Sequence, residues 1–370
     1  MLPQGLGVRL LNFLRIGRRV ETVMSAPAAP LGPTRVRGAT DHIILLDGTL
    51  GTLEPGHETN IGRLYKMLCA APATRRRSIY YEAGVQWHLW RDTVDVALGR
   101  GINLQIRRTY GWLASRYRPG DRIFLFGYSR GAYAVRSLAG ILDQVGLLHA
   151  DHATERNVML AWRYYQNGAS APGRARFAQR FCHSGVEVEM IGVFDTVKAL
   201  GVRLPLFWML SAPQHEFHNH ALSRVVRHGF HALALDETRA AFAPVLWDTG
   251  TGDSWKGRIE QVWFRGAHSD IGGQLGMWEA ARPLANIPLV WMCERAERFG
   301  LVLPDNWRAG LTMDADAPSY GTMRAWGRAF LLRARRKVGA DRSESIHPTA
   351  RAPRRAVSRF KWMRHPSTKH

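Results

Sequence analysis

The chain has 370 residues, of which 46% are hydrophobic, and it carries a formal net charge of +21. This is the composition of a globular protein, long enough for one large domain or two smaller ones. No apolar run approaches the ~20 residues that span a bilayer, which excludes a transmembrane helix. Cys69, Cys182 and Cys293 are too few and too scattered for a disulfide framework, and without a CxxC pair they do not indicate zinc.

The positive charge lies at the two ends of the chain. Residues 1–40 contain six Lys or Arg and one acidic residue, and residues 324–370 contain fourteen Lys or Arg and two acidic residues. Residues 41–323 have a net charge of only +4. Basic ends of this kind solubilise a protein or contact an anionic surface, and we expect a membrane before a nucleic acid. The pattern predicts a flexible basic segment over 1–40, a folded domain over 41–348 and a basic tail over 349–370.

The first residues of the chain allow two interpretations. Residues 1–19 mix apolar residues with Arg and contain no acid, as in a targeting sequence or a membrane-surface helix. Met24, followed by Ser-Ala-Pro, is equally typical of a true start, and we favour it over Met1. With so few cysteines we expect a cytoplasmic protein, and export or peripheral attachment to a membrane is the alternative.

Four short apolar runs predict buried strands of a parallel sheet, because each is rich in β-branched or aromatic residues and is followed by Gly or Asp. They cover residues 42–46, 122–126, 186–194 and 258–264. Helical patterns fall between them, for example over residues 132–148. The alternation predicts an α/β fold with a mostly parallel sheet and helices on both faces, and its functional motifs should lie at the carboxyl ends of the strands.

The first run ends in Leu46-Asp-Gly-Thr49. Asp-Gly-Thr-Leu after an apolar strand also occurs in phosphatases of the haloacid dehalogenase type. Their nucleophile is an aspartate two positions before the aspartate of this motif. That position is Leu45 in this chain, so a phosphatase would lack its nucleophile.

The second run continues into Gly127-Tyr-Ser-Arg-Gly131 and then directly into a helical pattern, which predicts a nucleophile elbow with Ser129 as the nucleophile. Gly127 and Gly131 supply the small residues that so tight a turn needs, although an ordinary glycine-rich turn would share them. The fold then resembles an α/β-hydrolase. In that fold the oxyanion hole combines the N–H after the nucleophile, here of Arg130, with an N–H from an early loop, here of Gly48 or Thr49.

An activated serine needs a base and an acid that orients the base. Asp195 ends the third run and His268 follows the fourth, in the chain order of α/β-hydrolases. Asp195 before Thr196 could instead cap a helix. His347 is the second candidate for the base, but His268 follows a strand and lies in a glycine-flanked loop that can present it to the elbow.

Two further patterns between Asp195 and His268 leave alternatives open. Five histidines could suggest a metal, but no HExxH pattern is present, and we expect neither metal nor cofactor; they are His215, His218, His220, His228 and His231. Residues 204–210 are strongly apolar, so a lid or insert is predicted around residues 202–230, with a core helix as the alternative.

Several segments together resemble one bacterial family, the α/β-hydrolase domain related to type VI secretion phospholipase effectors of the first lipase class. They occur in the expected order between Asp41 and Pro348: Leu46-Asp-Gly-Thr, Glu58-Thr-Asn-Ile-Gly-Arg-Leu64, Tyr80-Tyr-Glu-Ala-Gly-Val85, Gly127-Tyr-Ser-Arg-Gly-Ala-Tyr133, Gly192-Val-Phe-Asp-Thr-Val197, His231-Ala-Leu-Ala-Leu-Asp-Glu237 and Trp263-Phe-Arg-Gly-Ala-His-Ser-Asp-Ile-Gly-Gly273, with a weaker match at Ile346-His-Pro. The resemblance implies a triad of Ser129, Asp195 and His268 and the hydrolysis of phospholipid acyl esters.

The sequence therefore predicts a serine esterase, plausibly a phospholipase or lipase, that cleaves carboxylic esters through an acyl-enzyme. Its expected partners are an ester or phospholipid substrate and, through the basic ends, an anionic membrane. The alternative is a non-catalytic module that binds anionic membrane or nucleic acid through those ends.

Overall fold

The computed structural model of the chain describes residues 38–72, 76–84, 100–168, 170–197, 221–324, 327–328 and 330–351. Among these residues, seven strands form one parallel sheet in the order β2-β1-β3-β6-β7-β8-β9. The strands are β1 Asp41–Leu46, β2 Arg77–Glu82, β3 Arg122–Tyr128, β6 Val188–Phe194, β7 Val226–Ala234, β8 Ile259–Phe264 and β9 Glu344–Ile346. Two short strands, β4 Leu147–Leu148 and β5 Cys182–His183, form a separate antiparallel pair.

Helices cover both faces of the sheet, as predicted. One face packs against the helices Arg100–Ala114, Arg130–Gln144, Glu155–Gln166 and Arg174–Phe181. The other face packs against Asn60–Ala70 and Arg282–Arg298, and a short helix, His268–Gly272, follows β8. Because successive side chains of a strand point to opposite faces, Ile44 and Leu46 of β1 enter the first layer while Ile43 and Leu45 enter the second. The burial of both faces explains why the strands appear in the sequence as continuous apolar runs.

Local sequence explains where the helix that follows β3 ends. The helix predicted over residues 132–148 spans Arg130–Gln144, and Gly146 follows in the left-handed region with φ of 98°. A Cβ atom at Gly146 would lie 2.9 Å from Cys182 Cβ, so the glycine also permits the close approach of β5. Leu147 and Leu148 therefore belong to β4 rather than to the helix.

The sheet contains strands that the apolar runs did not indicate. β7 begins with Val-Arg-His-Gly, and its apolar half starts only at Phe230, so the first half carries no strand signal. Residues 226–230 are therefore part of the central sheet, and the predicted lid or insert around 202–230 was wrong for them. Residues 202–220 lie outside the described residues. β2 and β9 were missed for a similar reason, because both carry charged or polar residues at the edges of the sheet.

Candidate active site

The predicted site residues lie at the carboxyl ends of neighbouring strands. Ser129 directly follows β3, Asp195 directly follows β6, and His268 begins the short helix after β8. Parallel strands end at the same edge of a sheet, and β3, β6, β7 and β8 are consecutive in it. Side chains that are 139 residues apart in sequence are brought together in this way.

Ser129 adopts the strained backbone expected of a nucleophile elbow. Its φ is 56° and its ψ is −115°, a conformation that a non-glycine residue keeps only when the surroundings enforce it. The two flanking glycines are required by close contacts. A Cβ at Gly131 would lie 2.1 Å from the Leu46 carbonyl oxygen, and one at Gly127 would lie 2.7 Å from Ala132 Cα. The turn is thus wedged between β1 and the following helix, and the serine is also the N-cap of that helix.

A chain of hydrogen bonds joins the three predicted residues. Ser129 Oγ lies 2.9 Å from His268 Nε2, and His268 Nδ1 lies 2.6 Å from Asp195 Oδ2. These partners indicate a neutral imidazole that donates from Nδ1 to the carboxylate and accepts at Nε2 from the serine hydroxyl. All three side chains are almost completely buried, with Ser129 5% exposed and His268 4%.

The imidazole is packed as well as hydrogen bonded. The rings of Tyr128 and Phe242 each lie 4.9 Å from that of His268, and the backbone N–H of His268 donates to Glu237 Oε2 at 3.1 Å. Burial lowers the pKa of His268, and its pairing with Asp195 opposes this shift only in part. The net shift is downward, which keeps the imidazole neutral and able to accept a proton near pH 7.

Asp195 has a cationic partner that the sequence did not reveal. Arg336 donates to both of its carboxylate oxygens, at 2.5 and 2.8 Å, and also to the backbone carbonyls of Ala234 and Phe242. Burial acts to raise the pKa of the Asp195 carboxyl, but Arg336 and His268 together hold it well below its usual range. Its oxygens also accept the N–H of Ala234 at 3.0 Å.

Arg336 lies 141 residues after Asp195, within the stretch whose Lys and Arg residues read as a basic end. No motif surrounds it. Its side chain is 4% exposed, so this arginine is part of the folded domain. A carboxylate that is buried after a strand requires a cationic partner. That requirement is the one signal in the sequence that could have prompted a search for a distant arginine or lysine.

The loop after β1 is organised by Asp47. Its carboxylate accepts hydrogen bonds from the Gly48 N–H at 2.7 Å and from the hydroxyls of Thr59 and Tyr81 at 2.8 Å. The Gly48 N–H is therefore already engaged by Asp47, which makes it a weaker candidate for the oxyanion hole than the N–H of Thr49. Thr49 is the remaining candidate in this loop. Its hydroxyl accepts from Arg130 Nε, and its carbonyl accepts from Gln274 Nε2 at 2.8 Å.

Among the residues that the structure describes, the other candidate histidines do not enter the hydrogen-bond chain of Ser129. His347 Nδ1 lies 2.8 Å from Thr349 Oγ1, and its ring stacks on Phe264, so the second candidate for the base lies elsewhere. His231 Nε2 accepts the backbone N–H of Thr196 at 3.0 Å, and burial lowers its pKa to about 3, as expected of a neutral structural histidine. His228 stacks on Phe299. His215, His218 and His220 lie outside the described residues, within which no cluster of metal-ligating side chains forms.

Comparison with known proteins identifies the family. Residues 41–295 match the model of the catalytic domain of Tle1-like phospholipase effectors of the type VI secretion system. The chain belongs to this family. The Tle1-like match spans the segments that carry Ser129, Asp195 and His268, and it makes the chain a hydrolase domain of phospholipase type.

Individual relatives of the Tle1-like chain are distant. An uncharacterized protein of Saccharomyces cerevisiae is 27% identical over 227 residues, which are 54% of this chain and 31% of that protein. A crystal structure of an uncharacterized Pseudomonas aeruginosa protein matches at 15% identity and a TM-score of 0.41, covering 80% of this chain and 49% of the other. The Tle1 effector bound to the VgrG spike matches at 19% identity and a TM-score of 0.34, covering 70% and 57%. The chain thus spans less than two thirds of each of these relatives.

None of the helices in the described part of the chain has both the length and the apolar character that a bilayer crossing requires.

Proposed function

We propose that this Tle1-like domain is a serine esterase that hydrolyses the acyl esters of phospholipids, with Ser129 as nucleophile, His268 as base and Asp195 as the acid that orients the base. The observation that carries the proposal is the continuous hydrogen-bond chain Ser129–His268–Asp195, with steps of 2.9 and 2.6 Å. The strained elbow that holds the serine and the family's phospholipase character support the same conclusion.

The geometry supports an acyl-enzyme mechanism. His268 Nε2 takes the proton of Ser129 Oγ as the oxygen attacks the ester carbonyl, and the ionised Asp195 stabilises the resulting imidazolium. The tetrahedral oxyanion is stabilised by the N–H of Arg130, at the N-terminus of its helix, and by the N–H of Thr49. The intermediate then collapses: the ester C–O bond breaks, and His268 returns the proton to the leaving alcohol, here a lysophospholipid. Water, deprotonated by His268, releases the fatty acid and regenerates the serine.

Thr49 is preferred to Gly48 as the second oxyanion donor because the Gly48 N–H is bonded to Asp47. Arg130 holds the side chain of Thr49, and Gln274 holds its carbonyl. Preorganised donors of this kind stabilise charge without reorganising during the reaction, and one such donor contributes about 10²–10³ in kcat.

The test is labelling by a fluorophosphonate probe, which activated serines attack and which remains covalently bound. We expect wild-type protein to be labelled, Ser129→Ala and His268→Ala to be unlabelled, and Ser269→Ala, a change beside His268, to be labelled as wild type. Fatty-acid release from mixed micelles of phosphatidylglycerol or phosphatidylethanolamine then tests the substrate class. A folded wild type that takes no label would contradict the proposal and favour the non-catalytic alternative. A labelled Ser129→Ala would contradict the assignment of Ser129 as the nucleophile and place the reactive serine elsewhere.

We also propose that the protein acts at the surface of an anionic membrane. The net charge of +21 and its concentration at the two ends favour such peripheral contact. Nucleic acid is a weaker alternative, because residues 41–323 have a net charge of only +4 and so offer the duplex little positive charge.

A further inference from the structure

Large hydrophobic side chains are exposed near the candidate site. Five of the eight such side chains in the described residues follow or adjoin the carboxyl ends of the strands: Leu50, Met277, Met323, Leu331 and Leu332. Leu331 is 71% exposed and Met277 is 65% exposed. We call these five side chains the rim. Large apolar side chains that are exposed on neighbouring segments mark a place where a partner or a membrane binds.

Contacts between the loops place the segments that carry the rim side by side. Gln274, three residues before Met277, bonds to the carbonyl of Thr49, beside Leu50. The guanidinium of Arg324, beside Met323, lies 3.6 Å from the ring centre of Trp278, which follows Met277. Arg333, beside Leu332, donates to Met323 Sδ at 3.2 Å. These contacts link the three segments that carry the five side chains.

The rim lies close to the candidate catalytic residues, and two phenylalanine rings connect them. Phe330, beside Leu331, packs on Phe242 with ring centres 5.3 Å apart, and Phe242 packs on His268 at 4.9 Å. The segment that carries Leu331 and Leu332 also carries Arg336, the partner of Asp195. On the other side, Leu50 follows the proposed oxyanion donor Thr49. A surface that contacts the rim therefore lies near the candidate active site.

The charge around the rim identifies the kind of surface. Residues 317–340 contain no Asp or Glu. The same stretch exposes four cations, namely Arg324, Arg328, Arg335 and Lys337. Exposed apolar side chains interspersed with cations and without acids complement an anionic lipid surface, because the cations meet the headgroups while the apolar groups enter the acyl boundary. A duplex nucleic acid would use the cations but would leave the apolar side chains exposed to water.

We propose that the rim and its surrounding cations form a docking face for an anionic phospholipid bilayer, which places the entrance to Ser129 on the membrane. The docking face serves the proposed hydrolysis of lipid esters and in that sense rests on the proposed function. The docking itself is a binding property that can be tested without catalysis. Docking then supplies the substrate from the bilayer rather than from solution. The almost complete burial of the Ser129–His268–Asp195 chain favours a substrate that enters from an apolar phase.

The experiment measures binding of the full chain to sedimented vesicles of phosphatidylcholine alone and of phosphatidylcholine mixed with phosphatidylglycerol. We compare wild type with Leu331→Ser/Leu332→Ser and Arg328→Glu/Arg335→Glu. Each pair should weaken binding to the mixed vesicles by about tenfold or more. Matched controls should bind as wild type: Leu104→Ser replaces an exposed leucine of the helix Arg100–Ala114, and Arg156→Glu/Arg176→Glu replaces two exposed arginines on other helices.

Two further measurements separate docking from catalysis. Hydrolysis of a water-soluble short-chain ester should be unchanged in the rim variants, which also shows that they are folded. Ser129→Ala should bind vesicles as wild type does. If the ester is not hydrolysed but the rim variants lose vesicle binding, the proposed function fails and the docking face stands.

Several outcomes would overturn the docking face itself. If wild-type protein does not bind the mixed vesicles, the docking face is rejected. Rim variants that bind as wild type would assign membrane contact to the basic ends. Tight binding of duplex DNA that depends on Arg328 and Arg335 but not on Leu331 and Leu332, without vesicle binding, would assign the face to nucleic acid.

Discussion

Asp47 and Asp195 are both completely buried carboxyl groups at the ends of parallel strands, yet their environments differ. Asp195 bonds to Arg336 and His268, and its pKa lies well below the usual range. Asp47 is bonded by neutral groups only, the hydroxyls of Thr59 and Tyr81 and the Gly48 N–H, and burial raises its pKa to about 6. Burial acts in the same direction on both, so the charge of the partner decides which carboxyl stays ionised.

The comparison suggests two different tasks. The carboxylate that must stabilise an imidazolium is held ionised by a cation. Asp47, which only shapes the loop after β1, is held by neutral hydrogen-bond donors. Keeping it ionised while buried therefore lowers the free energy of unfolding, by an amount that depends on pH. The following changes test this difference, beginning with the largest expected effect.

Asp195→Asn should lower kcat for a soluble ester by about 10⁴, because an amide no longer enforces the tautomer that leaves His268 Nε2 free to accept the serine proton. It also leaves the guanidinium of Arg336 without its buried counter-charge. We expect the free energy of unfolding in urea to fall by about 3–5 kcal/mol. An Asn variant with wild-type turnover would exclude Asp195 as the orienting acid.

Arg336→Ala should lower the free energy of unfolding by about 3–5 kcal/mol, since it leaves Asp195 buried with less compensation. It should also move the acid limb of the kcat/KM profile to higher pH. His268 must be neutral to act as a base, and loss of the nearby cation makes its protonated form more favourable, which raises its pKa.

Two matched variants distinguish this positioning effect from simple loss of structure. Arg336→Lys retains the positive charge and should leave the acid limb near its wild-type position. Arg335→Ala removes the exposed neighbouring cation and should change neither stability nor the profile. If the acid limb of the kcat/KM profile does not move in Arg336→Ala and only kcat falls, Arg336 has a structural role alone.

Asp47→Asn should have a smaller effect, visible in how stability depends on pH. A carboxyl whose pKa rises from 3.8 to about 6 on folding contributes stability that is complete below pH 3.8 and is lost as the pH rises through 6. This loss amounts to about 3 kcal/mol. The Asn side chain does not titrate, so the variant should gain about that much relative to wild type between pH 4 and pH 7.

The measurement for Asp47→Asn is urea unfolding at several pH values. The quantity compared is the difference in the free energy of unfolding between variant and wild type, and the test is how this difference changes with pH. Asp316→Asn, at an exposed position, controls for the loss of one negative charge. A difference that stays constant from pH 4 to pH 7 would show that Asp47 is not held in the way its contacts indicate.

The amino-acid sequence by itself determined the α/β class and the three residues of the hydrogen-bond chain. Both depend on local signals, because apolar runs with turn residues define strands and the glycines around Ser129 define the elbow. Chain order then selected Asp195 and His268. Each of these signals is contained within a short segment of sequence, so none of them needs knowledge of distant contacts.

Only the tertiary structure decided which other groups surround that chain. Arg336 meets Asp195 across 141 residues, in a segment whose charge suggested a solvated end. The choice between Gly48 and Thr49 depends on where Asp47, Thr59 and Tyr81 converge. β7 is a strand because it pairs on both sides, with β6 and β8, although its first half is polar. In each case the deciding energy comes from a long-range pairing of buried polar groups, which no local pattern encodes.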